Sequence, residues 1–228
     1  MGGLLQQISA FWNEDRSLRF FLWLTIGLVF AITPLEALGL VEGYLFRTVA
    51  LGAFLVGTFT VSRRLVFRAA GTGLLVGLGL LSYLSERSSN PGIGAAHSLV
   101  GATFAFSFAG MVLRQSLRPG EITQHRIEGA VATYLMIGLG FAWLFQALEV
   151  FSPGAFVLAH PLRDTATGAP QLVYFSFATL TTVGYGDITA LHPVGRSLAA
   201  FEALIGQIYP AVLLARLVSM EVSRNERK

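Results

Sequence analysis

Apolar residues dominate this chain in long runs, broken by short stretches of charge or by glycine and proline. Six runs are long enough to be helices crossing a bilayer, which takes about 20 apolar residues each. They cover Leu18–Leu38, Tyr44–Val61, Leu65–Leu84, Ala95–Leu113, Ile127–Phe151 and Val194–Met220. Pro34 falls inside the first run and is expected to kink or end it, because proline has no amide hydrogen. Glycines recur in the second to fourth runs, at Gly52, Gly57, Gly71, Gly73, Gly77, Gly79, Gly101 and Gly110. Small residues let helices approach closely in lipid, so tight bundle packing is the expectation for them.

Between the fifth and sixth runs lies a segment with a different pattern, Ser152 to Pro193. Its first part, "SPGAFVLAHPLRDTATGAP", reads as a polar surface loop. "QLVYFSFATLTT" follows, apolar and aromatic but too short to span, which fits a buried or re-entrant half-helix. Pro170 is well placed to start it.

Composition supports the same class. The chain has 228 residues, 54% hydrophobic and 13% charged, against about 25% charged in soluble domains. An all-α membrane protein is expected. No cysteine is present, so disulfides and thiolate metal sites are excluded. The N-terminus lacks the basic n-region and cleavage site of a signal peptide, and its Met-Gly start lacks the hydroxyl residue of a myristoylation site.

Positive charge sets the orientation. With both termini cytoplasmic, the inner segments hold Arg16, Arg19, Arg63, Arg64, Arg68, Arg114, Arg118, Arg126, Arg216, Arg224, Arg227 and Lys228. The outer ones hold Arg47, Arg87, Arg163 and Arg196. That bias predicts N- and C-termini inside, and a multi-pass plasma membrane protein of the bacterial inner-membrane type. The stretch "TLTTVGYGD", Thr179 to Asp187, then enters from the outside.

Non-helical backbone at membrane depth survives only when buried in protein or lining a watery cavity. Its carbonyls need a partner, and a dehydrated cation can be that partner. Gly184 and Gly186 can adopt left-handed angles without a Cβ clash. Alternating them with Val183 and Tyr185 lets consecutive carbonyls share a direction, and the Thr182 hydroxyl can add a further ligand.

These residues carry a resemblance. Ile127 to Met220, about 40% of the chain, resembles the pore module of tetrameric potassium channels, with outer helix, pore half-helix, TVGYG filter and inner helix. The match is to a known filter sequence and does not derive selectivity. The resemblance implies K⁺ coordinated by the carbonyls of Thr182, Val183, Gly184 and Tyr185, with Gly186 closing the filter. It places the Thr181 hydroxyl behind the filter, the Tyr185 ring against Tyr174 and Phe175, and Asp187 at the outer mouth. Tyr174 stands where many members have a tryptophan and can offer its hydroxyl to Asp187. Ala178 stands where some members have a glutamate, so inactivation that depends on that acid is not implied. One chain brings one filter strand, so three identical subunits are implied as partners, in a homotetramer with cyclic symmetry. K⁺ is the permeant ion, no cofactor is implied, and membrane lipid is the remaining partner, with no nucleic acid. The half-helix would point its negative C-terminal end at the pore centre.

The sixth run resembles the pore-lining helix. Gly206 is either a hinge or a close-packing position. Pro210 leaves the Gly206 carbonyl without its usual donor, so a bend there is expected. Glu202 is a functional candidate as an intramembrane carboxylate. It either faces the cavity or pairs with a hydroxyl behind the half-helix. Gln207 and Tyr209 are further candidates for the cavity.

The resemblance stops at the pore. Residues 1–120 read as a four-helix transmembrane domain of unassigned role, and 121–228 as the pore domain, with outer helix 127–151, pore helix 171–181, filter 182–186 and inner helix 194–220. The fourth run carries no charge; Arg114 and Arg118 come only at its cytoplasmic end. Moving charge through the field is worth about 2.3 kcal/mol per charge per 100 mV, so gating by a conventional voltage sensor is not expected. His97 in that run reads as packed or interfacial. Arg63, Arg64 and Arg68 read as an orientation signal or a contact for anionic lipid. His192 near the mouth is a weak candidate for pH sensitivity. The eight residues after Met220 leave no room for a cytoplasmic ligand-sensing domain in this chain. Rival readings are a poorly selective cation pore and a nonconducting structural or regulatory subunit. An enzyme is not expected, since no Walker lysine, metal-ligand cluster or Ser/His/acid grouping occurs.

Overall fold

The computed structural model describes residues 14–38 and 40, residues 51, 52, 54, 55, 57 and 58, and residues 65–88, 90–116, 124–158 and 169–225. Helices α1 (Glu14–Gly27) and α2 (Thr33–Ala37) are joined without a break by a π-helical turn, Leu28–Ile32. Then come α3 (Leu65–Arg87), α4 (Pro91–Ser116) and α5 (Gln124–Phe151). Strand β1 (Phe156–Leu158), the short helix α6 (Ala169–Leu180), strand β2 (Ile188–Ala190) and the long helix α7 (Pro193–Asn225) complete the order. Most of the second predicted run, Tyr44–Val61, lies outside the described residues, as do Arg63, Arg64, Arg118 and the loop 159–168.

Pro34 does not end the first helix. Its missing N–H would orphan the Phe30 carbonyl, and the chain responds just upstream by widening into a π turn. There the Thr33 N–H reaches the Leu28 carbonyl five residues back. The Thr33 hydroxyl donates to the same oxygen at 2.9 Å.

Among the described residues, four helices are long and apolar enough to cross a membrane: Leu65–Ser85, Pro91–Arg114, Arg126–Phe151 and Pro193–Arg216. The shortest has 21 residues, which at about 1.5 Å per residue covers a hydrocarbon core of about 30 Å. The apolar part of the first helix, Phe21–Leu35, is shorter than these.

α5 is the central post. α4 lies along it, and α1, α6 and α7 pack on its other faces. Small residues set the spacing. Gly101 of α4 seats the Trp143 ring, and Gly140 of α5 seats Phe106, leaving no room for a Cβ at either glycine. One core joins Phe21, Phe54, Phe104 and Phe108 with Leu135, Met136 and Leu139. Ring centroids of Phe21 and Phe108 are 4.8 Å apart. A second core, Phe141, Phe145, Phe156, Leu172 and Phe175, locks α6 against α5. Two residues before Phe21, Arg19 Nε contacts Glu128 Oε1 at 2.8 Å, tying α1 to the start of α5.

Candidate ion-conduction site

The site is built outward from the end of α5. The Glu149 carboxylate accepts the backbone N–H of Gly154 at 2.8 Å and of Phe156 at 3.2 Å. That capture turns the chain sharply, with Gly154 at φ +83°, and returns it over the helix end. Phe156 is thereby buried, although this stretch reads as polar loop in the sequence. β1 then pairs antiparallel with β2, Phe156 opposite Ala190 and Leu158 opposite Ile188. The Leu191 and His192 amides both donate to the Ala155 carbonyl. The segment leaving the filter is thus stitched to the turn held by Glu149.

On the other side of residues 182–187 stands the short helix α6. Phe175 and Leu172 face α5 and are buried, while Tyr174 is turned outward. Phe175 packs edge-on against Phe145 and Phe156, at 5.0 and 5.3 Å between centroids. Tyr174 instead stacks on Tyr185, at 6.4 Å and 9° between planes. The expectation that both rings support Tyr185 therefore divides. Neighbours on a helix point about 100° apart, so one ring meets the filter tyrosine and the other anchors the helix. Tyr174 also hydrogen-bonds the Asp187 carboxylate, and partial desolvation, then that carboxylate, holds its hydroxyl above the usual phenol range. Asp187 Oδ1 in turn accepts the Ile188 N–H at 3.1 Å.

The filter residues follow directly. After Leu180 the helix closes with the Thr181 N–H on the Phe177 carbonyl and the Thr182 N–H on the Thr179 carbonyl. The Thr181 hydroxyl is used locally, on the Phe177 carbonyl at 2.7 Å. Backbone angles then alternate: φ is +59° at Thr182, +52° at Gly184 and +80° at Gly186, with Val183 and Tyr185 between them at negative φ. The two glycines take this conformation freely. Thr182 is the one described residue other than glycine that does so, and holding it costs on the order of 1 kcal/mol or more. The Gly184 amide bonds back to the Ala178 carbonyl at 3.1 Å. Among the described residues, no hydrogen bond is accepted by the carbonyls of Thr182, Val183, Gly184 or Tyr185.

α7 packs behind and beneath. Gln207 Nε2 donates to Thr182 Oγ1 at 2.8 Å, which braces that strained residue. Gly206 lies so close to the Leu180 carbonyl that an added Cβ would overlap it. Close packing accounts for this glycine. Tyr134 of α5 donates to the same Leu180 oxygen at 3.1 Å, so the end of α6 is fixed by both neighbours. Tyr209 points the other way, donating to the Ala130 carbonyl of α5 at 2.8 Å. Pro210 sits inside α7, which continues helical from Pro193 to Asn225. Glu202 is fully buried, with Oε1 2.5 Å from Ser176 Oγ of α6. Of the two placements open to it in the sequence, the structure takes the one behind the half-helix.

Residues 142–223, from within α5 to near the end of α7, match the family model described as "Ion channel". This segment is thus similar to an ion-channel domain. With four apolar helices of spanning length, the chain is a membrane protein of mostly helical fold. It is similar over 90 residues to "Protein LctB" of Bacillus caldotenax, at 39% identity, covering 39% of this chain and 66% of the relative. It is similar over 85 residues to "Protein LctB" of Geobacillus stearothermophilus, at 38% identity, covering 35% of this chain and 60% of the relative. The matched segment thus spans about two thirds or less of the length of these curated relatives. No solved structure matches significantly.

Sequence reasoning missed Glu149, Ser176 and Tyr134. Ser176 carried a signal, as the one aliphatic hydroxyl in the apolar run from Leu172 to Phe177. Glu149, at the end of an apolar helix five residues ahead of Gly154, carried a weaker one. Nothing local marks Tyr134.

Proposed function

We propose that this protein is a potassium-selective channel that conducts dehydrated K⁺ passively through a filter of backbone carbonyls. Four identical chains surround the pore, each contributing Thr182 to Gly186. The chain spans the plasma membrane six times with both termini cytoplasmic, and no conventional voltage sensor gates it.

One observation carries the reading: left-handed φ at Thr182, Gly184 and Gly186, alternating with ordinary φ at Val183 and Tyr185. Alternation of this kind turns successive peptide planes so that their carbonyls can share one side. Those carbonyls accept no hydrogen bond within the described chain. Bare carbonyls at membrane depth are costly, and a cation stripped of water supplies what they lack. Fourfold repetition of the strand closes the coordination shell. It also covers a filter that one chain leaves open, with Val183 53% and Tyr185 73% exposed.

The test is K⁺ uptake into liposomes that hold purified protein and a K⁺ gradient. Uptake is expected from the natural chain and not from Gly184→Asp, which puts a side chain and a charge at φ +52°. Uptake that survives this substitution contradicts the route.

A further inference from the structure

The junction behind the pore helix contains a proton that can be located by counting donors. Ser176 Oγ lies 2.6 Å from the Gly138 carbonyl oxygen on α5 and 2.5 Å from Glu202 Oε1 on α7. A serine hydroxyl has one hydrogen to give, and a carbonyl has none. An ionised carboxylate has none either. With a charged Glu202, one of these two short contacts would be oxygen against oxygen with nothing between.

We propose that Glu202 is a neutral acid that donates its proton to Ser176, while Ser176 donates its own to Gly138. The relay joins inner, pore and outer helices at one point beneath the filter. Glu202 is a positioning residue: it acts on the filter through α6. Burial gives the same answer by a separate route. Ser176 and Glu202 are both 0% exposed in a single chain, and further subunits can only bury them more. Glu202 Oε2 has no hydrogen-bond partner among the described residues. An orphaned carbonyl oxygen is tolerable there, whereas half of an unpaired carboxylate is far more costly.

Among the described residues, no cationic side chain faces Glu202. From α5 the titratable group facing Glu202 is Tyr134. α6 offers Ser176, and its one titratable side chain, Tyr174, faces Tyr185. On α7 itself, Tyr209 is engaged with Ala130, and Arg196 lies nearly two turns away at the exposed start. The described ion pair, Arg19 with Glu128, belongs to α1 and α5.

The effect on conduction rests on the channel reading, whereas the position of the proton does not. The experiment therefore has two arms, both on the full chain in liposomes. Infrared spectroscopy near neutral pH should show the carbonyl-stretch band of a protonated carboxylic acid, and E202Q should lose it. In the flux arm, E202Q should keep K⁺ uptake within about twofold, because its amide can still donate to Ser176. E202A, which leaves a cavity beside Ser176, and S176A, which strands the Glu202 proton and the Gly138 carbonyl, should each slow uptake roughly tenfold or more. Uptake by the natural chain should fall as the pH becomes alkaline and the acid loses its proton. E202Q uptake should stay flat below the ordinary phenol range. A spectrum unchanged by E202Q overturns the proposal, as does E202Q uptake as low as that of E202A. If the natural chain passes no K⁺ at all, the channel reading fails, and the infrared arm still decides the proton.

Discussion

Tyr174 and Tyr185 lie face to face, their ring centroids 6.4 Å apart and their planes within 9° of parallel. One ring belongs to α6 and the other to the segment that follows it, so this pair joins the two. Tyr174 adds a second tie through the Asp187 carboxylate. Removing the hydroxyl alone, Tyr174→Phe, should weaken the outer mouth by about 1 kcal/mol. Tyr174→Ala should cost a further ~0.5–1.5 kcal/mol through the lost ring pair. Thermal denaturation of the purified protein in detergent measures both, and equal effects would show that the stack contributes nothing.

The same tyrosine predicts a pH dependence. Its hydroxyl titrates above the usual phenol range, through desolvation and then Asp187. A raised value means that the neutral, donating form is favoured by folding. The contribution is complete below the ordinary phenol range and is lost as pH rises through the raised value. Ultraviolet titration of tyrosinate should show a late-ionising fraction, and Tyr174→Phe should reduce its amplitude by one tyrosine.

Gly206 is a site where one methyl group is decisive. An added Cβ would run into the Leu180 carbonyl, which is backbone and already bonded to Tyr134. Gly206→Ala should destabilise the protein by about 1–3 kcal/mol or more. Gly73→Ala, in a helix with open space around that position, should be neutral or stabilising by up to about 1 kcal/mol. Melting temperatures that move together would contradict the assignment of Gly206 to close packing.

Gln207 braces Thr182, the strained inner end of the filter, at 2.8 Å. Gln207→Ala should remove about 1 kcal/mol of support, or roughly a fivefold loss in K⁺ affinity. Calorimetric titration of K⁺ into purified protein reads this directly. Unchanged affinity would mean that Thr182 holds its conformation unaided.

How much of this was legible in the sequence depends on distance along the chain. Residues 182–187 are contiguous, and two glycines spaced by one residue announce the alternating backbone on their own. The helices at 65–87, 91–116, 124–151 and 193–225 follow from apolar runs whose ends move by a few residues. The pairing of β1 with β2 was not legible, because two three-residue strands more than 30 positions apart carry no periodic signal. The positive φ of Thr182 was hidden for another reason: its brace comes from Gln207, and only the fold brings them together. Glu202 was recognisable as a costly charge, but its partner Ser176 became evident only once α6 and α7 were seen in contact.

The central claim concerns which ion passes the oxygens of Thr182 to Tyr185. Single-channel recording in a planar bilayer, with K⁺ on one side and Na⁺ on the other, tests it most directly. The account predicts unitary currents whose reversal potential lies far toward the K⁺ equilibrium value. A reversal potential near zero, with K⁺ and Na⁺ equally permeant, would contradict it.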